Sequence, residues 1–336
     1  MAKVLVTGGA GYVGAHCCLA LARAGHDVVV YDNLSNGHVE FVKWGPLERG
    51  DLRDKDRLRA VFAAHAPQAV IHCAGLIEVG ESVRNPSAFY DVNVVGSLAL
   101  LDVMVESSVN AFVFSSTCAT YGAPLTVPIS ESHPQAPVSP YGRTKLIVEH
   151  ASKDISAAHD LRYAHLRYFN AAGAAAEEGI GERHSPETHA IPLALFQLLG
   201  RSNTFRIFGA DYDTRDGTCV RDYVHVQDLA DAHVRAVERL IAGGDSLAVN
   251  LGTGRGTSVR ELLAAIESVT SHRVDMILAP RRDGDAAQLV AAKASAHAEL
   301  GWTPVHDLLS VLASAWQWHH QVEGVIFRAT QNQSKA

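Results

Sequence analysis

One stretch of this 336-residue chain decides its fold: Lys3-Val4-Leu5-Val6-Thr7-Gly8-Gly9-Ala10-Gly11-Tyr12-Val13-Gly14. The apolar run Lys3–Thr7 predicts a strand buried on both faces, and Gly14–Ala24 predicts the helix that follows. The glycines between them have the spacing G-x-x-G-x-x-G, a variant of a dinucleotide fingerprint. Glycine allows a tight turn and a close approach of the backbone to a pyrophosphate at the helix N-terminus. The turn therefore predicts a dinucleotide site that includes Gly8, Gly11, Tyr12, Val13 and Gly14.

The same alternation of short apolar runs and helix-length segments continues through the first half of the chain. Further strands are predicted at Asp27–Tyr31, Ala69–His72, Ala111–Ser115 and Tyr163–Tyr168, and helices at Lys55–His65, Pro86–Ser107 and Tyr141–Ala158. Strands separated by helices predict a doubly wound parallel α/β sheet of the Rossmann type.

After residue 170 this rhythm changes, and residues 171–189 are predicted to form a long loop. Later elements are predicted at Val226–Ala242, Leu247–Leu251, Ser258–Thr270, Val274–Leu278 and His306–His320. We therefore expect a dinucleotide-binding domain over residues 1–170 and a smaller C-terminal α/β substrate lobe over residues 171–336. Residues 222–242 are expected to pack back on the first domain.

Composition excludes several functional classes. The chain is 47% hydrophobic and 19% charged with a net charge of −7, and no basic block suggests a nucleic-acid partner. No apolar run is expected to reach the ~18 residues of a membrane span, and no signal-peptide core precedes the first strand. The 5 cysteines form no Cys-x-x-Cys pair, which favours free thiols and a cytoplasmic location. The 18 histidines include no His-Glu-x-x-His helix, so no metal site is expected.

Two acidic residues are candidates for cofactor contacts. Asp32 ends the second predicted strand, 18 residues after Gly14. A carboxylate there accepts hydrogen bonds from the ribose hydroxyls and repels a 2′-phosphate, which favours NAD over NADP. Asp51 follows a third short strand and is expected near the adenine. The alternative for Asp32 is a turn residue that ends the strand.

Tyr141 and Lys145 are four residues apart on one predicted helix and therefore share a face. An unperturbed tyrosine has a pKa of about 10 and is a poor base near neutral pH. A nearby ammonium and a nicotinamide cation are expected to lower that pKa by ~2–3 units, or ~3–4 kcal/mol. Taken alone, the pair is more often a surface helix pair.

Hydroxyl side chains follow the strand at Ala111–Phe114. Ser115, Ser116 and Thr117 lie where open α/β sheets bind ligands, and could bridge a substrate oxygen and the Tyr141 phenol. The alternative is a turn that caps its own backbone. Asn93, on the helix between two strands, is expected to hydrogen-bond the backbone near the site.

Taken in order, these motifs resemble the extended short-chain dehydrogenase/reductase family and, within it, the UDP-glucose 4-epimerase family. The resemblance extends from the second residue to about Trp318 and also rests on strings at 115–122, 139–145, 168–173, 220–226, 281–285 and 300–304. It implies NAD-dependent 4-epimerisation of a UDP-hexose, UDP-galactose to UDP-glucose, through a transient 4-keto sugar. It also implies a homodimer formed through the helices at Pro86–Ser107 and Tyr141–Ala158.

The resemblance implies a role for each matching residue. Tyr141 is expected to be the base that takes the 4-hydroxyl proton, with Lys145 lowering its pKa and Thr117 bonding that hydroxyl. The NAD site is expected to include Asn33, Asn36, Leu52, Cys73, Ala74, Asn93, Ser115 and Tyr168 besides Asp32, Asp51, Tyr141, Lys145 and the glycine turn. Substrate contacts are expected from Thr117, Tyr141, Asn170, His189, Arg221, Tyr223, Arg282 and Asp285. Two departures leave the sugar open, because His189 replaces a common Asn and Leu289 replaces a common Tyr.

Three other functions compete with this interpretation. A nucleotide-sugar 4,6-dehydratase needs acidic side chains directly after Thr117, where this chain has Cys118-Ala119. A 4-epimerase for a UDP-N-acetylhexosamine or a UDP-pentose fits the same motifs. An NAD-sensing module without catalysis has no need of the Thr117, Tyr141 and Lys145 set.

Overall fold

The computed structural model describes residues 1–202, 204–282 and 284–322, so Asp283 of the 281–285 string lies outside the described residues. In chain order the strands are β1 (Lys3–Thr7), β2 (Asp27–Asp32), β3 (Leu47–Arg49), β4 (Ala69–His72), β5 (Ala111–Thr117), β6 (Arg162–Tyr168), β7 (Asn170–Ala172), β8 (Ala174–Ala175), β9 (Ile180–Gly181), β10 (Phe205–Phe208), β11 (Val220–His225), β12 (Leu247–Leu251), β13 (Gly256–Ser258), β14 (Met276–Ala279) and β15 (Gln288–Leu289). The helices are α1 (Tyr12–Arg23), α2 (Lys55–His65), α3 (Val79–Arg84), α4 (Pro86–Phe89), α5 (Gly96–Glu106), α6 (Pro140–Ala158), α7 (Ala190–Leu198), α8 (Val226–Ile241), α9 (Val259–Thr270), α10 (Ala294–Leu300) and α11 (Leu308–Gln317).

Seven strands form one parallel sheet in the order β12-β6-β5-β4-β1-β2-β3. Successive side chains of β1 lie on opposite faces of the sheet. Val4 and Val6 pack with α1 and α8, whereas Leu5 packs with α2, α5 and α6. Burying each such side chain stabilises the fold by about 1.5–3 kcal/mol, so the sheet is held from both sides. The predicted doubly wound α/β class is confirmed.

A part of the second half of the chain belongs to this sheet. Leu229 and Val237 of α8 lie in the same apolar cluster as Val4. Strand β12 pairs in parallel with β6, and Leu251 lies opposite Tyr168. The segment that joins the first half is therefore longer than the expected residues 222–242, because β12 continues the parallel sheet. The division of the chain at residue 170 remains a prediction.

The remaining elements form a smaller lobe. Its central strand is β11, which pairs with β13, β15 and β7. Helices α7, α9 and α11 bury their apolar faces around Leu195, Leu262 and Leu312. Residues 171–189, expected to be a loop, include β7 and the antiparallel pair of β8 and β9. These strands are only two or three residues long, too short for a periodic signal.

The segment from Pro86 to Glu106 requires a second correction. Helices α4 and α5 are joined by a π-helical stretch at Tyr90–Val95, and together they are long and apolar enough to cross a membrane by length and composition. The expectation that no stretch meets those criteria is therefore wrong. Half of the apolar window is buried in the protein, and Leu100 and Met104 lie in the core beside the sheet.

Candidate active site

The glycine turn lies at the carboxyl end of β1. Gly8 has a φ of +70°, and a Cβ there would lie 2.6 Å from the amide nitrogen of Ala74. A Cβ on Gly14 would lie 2.1 Å from the carbonyl oxygen of Gly8. Helix α1 begins after Gly11 without a side-chain cap. Its first amide groups are therefore available to an anion, as a pyrophosphate site needs.

Asp32 is the last residue of the neighbouring strand β2, and its side chain contacts the glycine turn. Its carboxylate accepts hydrogen bonds from the amides of Ala10 at 3.0 Å and Leu34 at 2.8 Å. Burial raises the pKa of Asp32, and these two bonds oppose that rise. The carboxylate thus lies beside the turn, where a bound ribose would reach it.

The other residues predicted near the adenosine lie along the next loops. Asp51 accepts from Asn33 at 3.1 Å and from the Arg53 guanidinium at 2.8 Å, and Arg53 holds the pKa of Asp51 well below its usual range. Leu52 is buried and Asn36 is exposed. Much of the hydrogen-bonding capacity of Asp51 is therefore used within the protein.

The three hydroxyls that end β5 have different partners. The neutral ring of His233 contacts the Leu229 carbonyl through Nδ1 at 2.7 Å, so its Nε2 accepts the Ser115 proton at 2.8 Å. Ser116 donates to Glu149 at 2.6 Å. Thr117 alone faces Tyr141. Both serine protons are thus used inside the protein, and a contact of either serine oxygen with a substrate remains a prediction.

Lys145 is buried beneath this strand edge. Its ammonium donates to the Ser115 carbonyl at 3.0 Å and lies 4.8 Å from the centre of the Phe114 ring. Burial lowers the pKa of Lys145 to about 8. Cys73 lies in the same region, with Sγ 3.1 Å from the Ser115 hydroxyl.

Asn93 holds the loop that follows β4. Its amide oxygen accepts from the Leu76 amide at 2.7 Å, and its nitrogen donates to the Leu76 carbonyl at 3.0 Å and to Thr144 at 3.1 Å. Thr144 lies on α6 between Tyr141 and Lys145. Asn93 therefore fixes the loop relative to the helix that carries these two residues.

Tyr141 is the second residue of α6, after Pro140 at the first helical position. The helix N-terminus carries a partial positive charge that favours an anion nearby. Burial nevertheless raises the pKa of Tyr141, and the Thr117 hydroxyl opposes this only in part. The Lys145 ammonium bonds the Ser115 carbonyl, and the expected lowering of the Tyr141 pKa by Lys145 remains a prediction. Tyr168, also expected near the cofactor, lies close to both Tyr141 and Ser115.

Strand β11 brings several predicted substrate residues together. Tyr223 lies opposite Asn170 of β7, and Arg221 lies opposite Leu289 of β15. The Asn170 amide donates to the Asp222 carbonyl at 3.0 Å. These residues come from three distant parts of the sequence, and only strand pairing makes them neighbours.

Two of the basic and acidic candidates lie next to each other at the edge of the lobe. The Arg221 guanidinium is 3.5 Å from the Asp285 carboxylate and donates to the Ala286 carbonyl at 2.9 Å. The exposed Arg282 guanidinium lies 3.7 Å from the centre of the Phe208 ring. Arg282 makes no described ion pair, so it remains open to a phosphate.

His189 lies apart from those residues, at the start of α7. Its Nδ1 is 2.8 Å from Glu187 and 3.0 Å from Glu182, both of them buried carboxylates. Burial lowers the pKa of His189, but the two glutamates outweigh burial and raise it well above its ordinary value. A contact of His189 with the substrate phosphates remains a prediction.

Sequence reasoning missed two buried residues that organise the site. His233 lies 118 positions from its partner Ser115, and no local pattern connects them. Asp222 accepts from Thr253, Gly254 and Ala291. It thereby holds two loops beside β11. In the sequence, the position of Asp222 between Arg221 and Tyr223 indicates only that its side chain lies on the opposite face of the strand from theirs, because side chains alternate along a strand.

Residues 4–252 match the model of the NAD dependent epimerase/dehydratase family. The chain belongs to this family. The predicted resemblance and the NAD requirement of the family are thereby confirmed.

Members of this family with high identity share one description. The chain is 60% identical to the UDP-glucose 4-epimerase of Rhizobium meliloti (strain 1021), over 94% of this chain and 97% of the relative. It is 46% identical to the UDP-glucose 4-epimerase of Halalkalibacterium halodurans, over 95% of this chain and 96% of the relative.

Solved structures of family members have the same fold. The UDP-glucose 4-epimerase of Brucella ovis in complex with NAD has a TM-score of 0.92 and 48% identity, covering 94% of this chain and 98% of that one. The enzyme from Stenotrophomonas maltophila with bound NAD and formylated UDP-arabinopyranose has a TM-score of 0.94 and 41% identity, covering 98% and 100%.

Proposed function

We propose that this family member interconverts UDP-galactose and UDP-glucose by oxidation and re-reduction at C4 of the hexose. The observation that carries the proposal is the placement of Tyr141 and Thr117 side by side at the carboxyl edge of the sheet that also carries the glycine turn. A base and a hydroxyl at that edge face the position where a bound dinucleotide ends.

The residues present fit NAD. The uncapped start of α1 and the crowded glycine turn suit a pyrophosphate, and Asp32 suits the ribose hydroxyls. When bound, NAD⁺ supplies an acceptor and donor of hydride and a positive charge beside the reacting carbon. A hydrogen bond of Lys145 with the nicotinamide ribose is part of this proposal.

Within this site Tyr141 takes the proton of the 4-hydroxyl, and Thr117 bonds that hydroxyl and helps to move the proton. Burial keeps Tyr141 protonated in the chain alone. The positive end of α6 favours its phenolate, and so does the charge of the bound cofactor. The sugar passes through a transient 4-keto form and receives hydride on the opposite face.

Arg221 and Arg282 are the proposed ligands of the diphosphate. Guanidinium groups bind phosphate oxygens in a planar fork. Arg221 belongs to β11 and lies near Cys118, the residue after Thr117, and Arg282 lies against Phe208 in the same lobe. Asn170, Tyr223 and Asp285 are proposed to line the same cleft.

A second candidate substrate is a UDP-N-acetylhexosamine. Leu289 packs beside Cys118 and Phe169 and pairs in register with Arg221, so it lies at the border of the proposed sugar pocket. Leucine is smaller than the tyrosine common at this position and leaves room for a larger group at C2. A UDP-Glc/GlcNAc 4-epimerase from Campylobacter jejuni is 37% identical to this chain with a TM-score of 0.84.

The test measures conversion of UDP-galactose, UDP-glucose, their N-acetylated forms and a UDP-pentose by the purified enzyme. We expect UDP-galactose to give UDP-glucose with no net formation of NADH, and Tyr141→Phe to abolish turnover while the fold and the bound dinucleotide remain. Stoichiometric NADH would indicate a dehydrogenase, and a Phe variant with full activity would show that Tyr141 is not the base.

We also propose that the enzyme is a homodimer. Val95 and Leu98 of the Pro86–Glu106 segment and Ile147 of α6 are large apolar side chains with 51%, 36% and 37% exposure. Helices α5 and α6 pack against each other, so these side chains form one surface that a second copy can cover. Light scattering is expected to give the dimer mass for the wild type and the monomer mass for Leu98→Arg with Ile147→Arg. A monomeric wild type would refute this proposal.

A cytoplasmic location is proposed from the thiols. The 5 cysteines are free, and 4 of them are buried. Such thiols persist in a reducing compartment. Fractionation of source cells, with a cytoplasmic marker enzyme as reference, tests this location.

A further inference from the structure

A cluster of two histidines and two glutamates lies between β9 and α7, next to the cofactor turn. It consists of Glu182, His184, Glu187 and His189, spaced E-x-H-x-x-E-x-H. One donor atom from each side chain can be chosen so that all four lie within 4.8 Å of one another. His189 is a predicted substrate residue, but the proposed epimerisation gives no function to Glu182, His184 or Glu187.

Two atoms of the cluster lack the partners that buried polar groups normally have. Oε2 of Glu187 and Nδ1 of His184 are inaccessible to solvent, and no described residue forms a hydrogen bond with either. The Glu187 side chain is only 4% exposed, and its Oε2 points at His184 Nδ1 at 3.5 Å. Its other oxygen already accepts from the amides of Thr188 and His189. The 3.5 Å contact of Oε2 with His184 is an ion pair but longer than a hydrogen bond, so this buried oxygen is incompletely satisfied, and a bound cation would complete its coordination.

We propose that Glu182, His184, Glu187 and His189 bind one Zn²⁺ ion in a structural site. In a tetrahedral zinc site with bonds of about 2.0–2.1 Å, neighbouring donor atoms lie about 3.3 Å apart. His184 Nδ1 lies 3.6 Å from Glu182 Oε1 and 3.5 Å from Glu187 Oε2, and His189 Nδ1 lies 3.0 Å from Glu182 Oε1. These separations bracket the tetrahedral value.

Charge and ligand type also favour this ion. Two carboxylates neutralise one divalent cation when both imidazoles are uncharged, and nitrogen and oxygen donors suit Zn²⁺. All four positions are filled by protein atoms, as in a structural rather than a catalytic site. The ligands lie within eight residues of one another, so little chain entropy is lost when they converge.

A second cluster of possible metal ligands in the described residues differs from the first in its imidazole nitrogens. Cys17, Cys73 and His233 also lie within 4.8 Å of one another. Both ring nitrogens of His233 are already bonded, to Leu229 and Ser115. That group therefore has no free imidazole nitrogen to offer, whereas His184 has one.

The zinc would join the cofactor turn to the lobe. The His184 ring meets the Tyr12 ring edge-on at 6.2 Å, and Tyr12 belongs to the glycine turn. On the other side, Trp318 donates to the Glu182 carbonyl at 2.9 Å, and α7 begins directly after His189. Binding of the metal would thus fix residues 182–189 between the two parts of the molecule and raise the stability of the folded state.

The experiment uses the full chain, stripped with a chelator and then incubated with ZnCl₂. After desalting, elemental analysis is expected to find one zinc per chain in the wild type and in His26→Ala, since His26 pairs with Glu238, outside the cluster. The His184→Gln/Glu187→Gln variant is expected to lose it. Zinc is also expected to raise the Tm of the wild type by several degrees and leave that of the double variant unchanged.

A measurement on the wild type alone tests the proposal even if the double variant does not fold. Co²⁺ added to the stripped wild type is expected to give the strong visible absorption of a tetrahedral site, and Zn²⁺ is expected to displace it. Loss of zinc from the wild type on desalting, equal zinc in the double variant, or the weak spectrum of octahedral cobalt would each overturn the proposal. None of these measurements depends on epimerase activity, so the two proposals fail separately.

Discussion

Two regions of one face of α6 differ in how their buried polar groups are satisfied. Tyr141, Lys145 and Glu149 follow one another at intervals of four residues, and all three are buried. Glu149 accepts from Ser116 at 2.6 Å, from Gln135 at 3.2 Å and from Arg167 at 2.9 and 2.6 Å. Lys145 has one described hydrogen bond, to the Ser115 carbonyl.

The difference changes the ionisation of the two ends of this face. Burial lowers the pKa of Lys145 to about 8. Burial also opposes the charge of Glu149, but Arg167 and its other partners outweigh burial and lower its pKa to about 2. The end at Glu149, where all hydrogen-bonding capacity is used within the protein, is called the saturated end, and it stabilises the fold. The end near Tyr141 keeps hydrogen-bonding capacity for a ligand.

The largest expected effect concerns the saturated end. Arg167→Met leaves the Glu149 carboxylate buried without its cation, which is expected to lower the free energy of unfolding by about 3–5 kcal/mol. Urea unfolding measures the loss. The control is Arg59→Met, which breaks the half-exposed pair with Glu106 and should cost far less, because solvent screens exposed ion pairs. Equal losses in both variants would contradict the comparison.

Lys145→Met changes the other end and should have the opposite profile. We expect turnover of UDP-galactose to fall by about 10²–10³-fold, as when one charged donor is removed from a preorganised site. The stability of the dinucleotide-free protein should not fall, because a buried ammonium with one partner is replaced by an apolar chain. Activity and thermal unfolding are measured on the same preparation. If the variant unfolded more easily and kept its turnover, Lys145 would be a stabilising residue and not part of the active site.

The pH dependence of stability sharpens the comparison further. The pKa of Glu149 is about 2 in the folded protein, below the ordinary carboxyl value. A lowered carboxyl pKa adds stability that is present above about pH 4.5 and is lost as the pH falls through 2. The contribution is about 3 kcal/mol. The stability difference between wild type and Glu149→Gln should therefore shrink as urea midpoints are measured from pH 6 down to pH 2.5. A difference that is constant with pH would show that the Glu149 charge is not the stabilising feature.

The smallest effect is expected at Thr117. Thr117→Ser keeps the hydroxyl beside Tyr141 and should change kcat by less than about tenfold, whereas Thr117→Val removes it and should lower kcat by about 10²-fold or more. Neither variant should move the unfolding midpoint as much as Arg167→Met. Equal kcat values for Ser and Val variants would remove the hydroxyl from the mechanism.

Short-range patterns predicted the parallel sheet because its strands are continuous apolar runs. Lys55–His65 and Leu247–Leu251 have the bounds expected from the sequence. Helix α7 and strand β10 were missed, since each is short and is held by packing around Leu195 and Ile207. The position of β12 at the sheet edge was also missed, because strand order depends on pairing between distant segments.

The candidate site divides in the same way. The glycine spacing and the Tyr141–Lys145 interval are local, so the sequence could present them directly. The hydrogen-bond partners of Ser115 and Ser116 could not be predicted from the sequence. His233 accepts a hydrogen bond from Ser115 and Glu149 accepts one from Ser116. These partners lie 118 and 33 positions away in the sequence.

By itself the sequence determined the alternation of strands and helices, the anion-binding turn and the family of the chain. These features depend on residue types within one or two turns of the backbone. Only the tertiary structure decided which hydroxyl is free, which buried charges are saturated and which histidines meet carboxylates. Those outcomes depend on distances of about 3 Å between groups far apart in the chain, where small differences in packing decide which hydrogen bond forms.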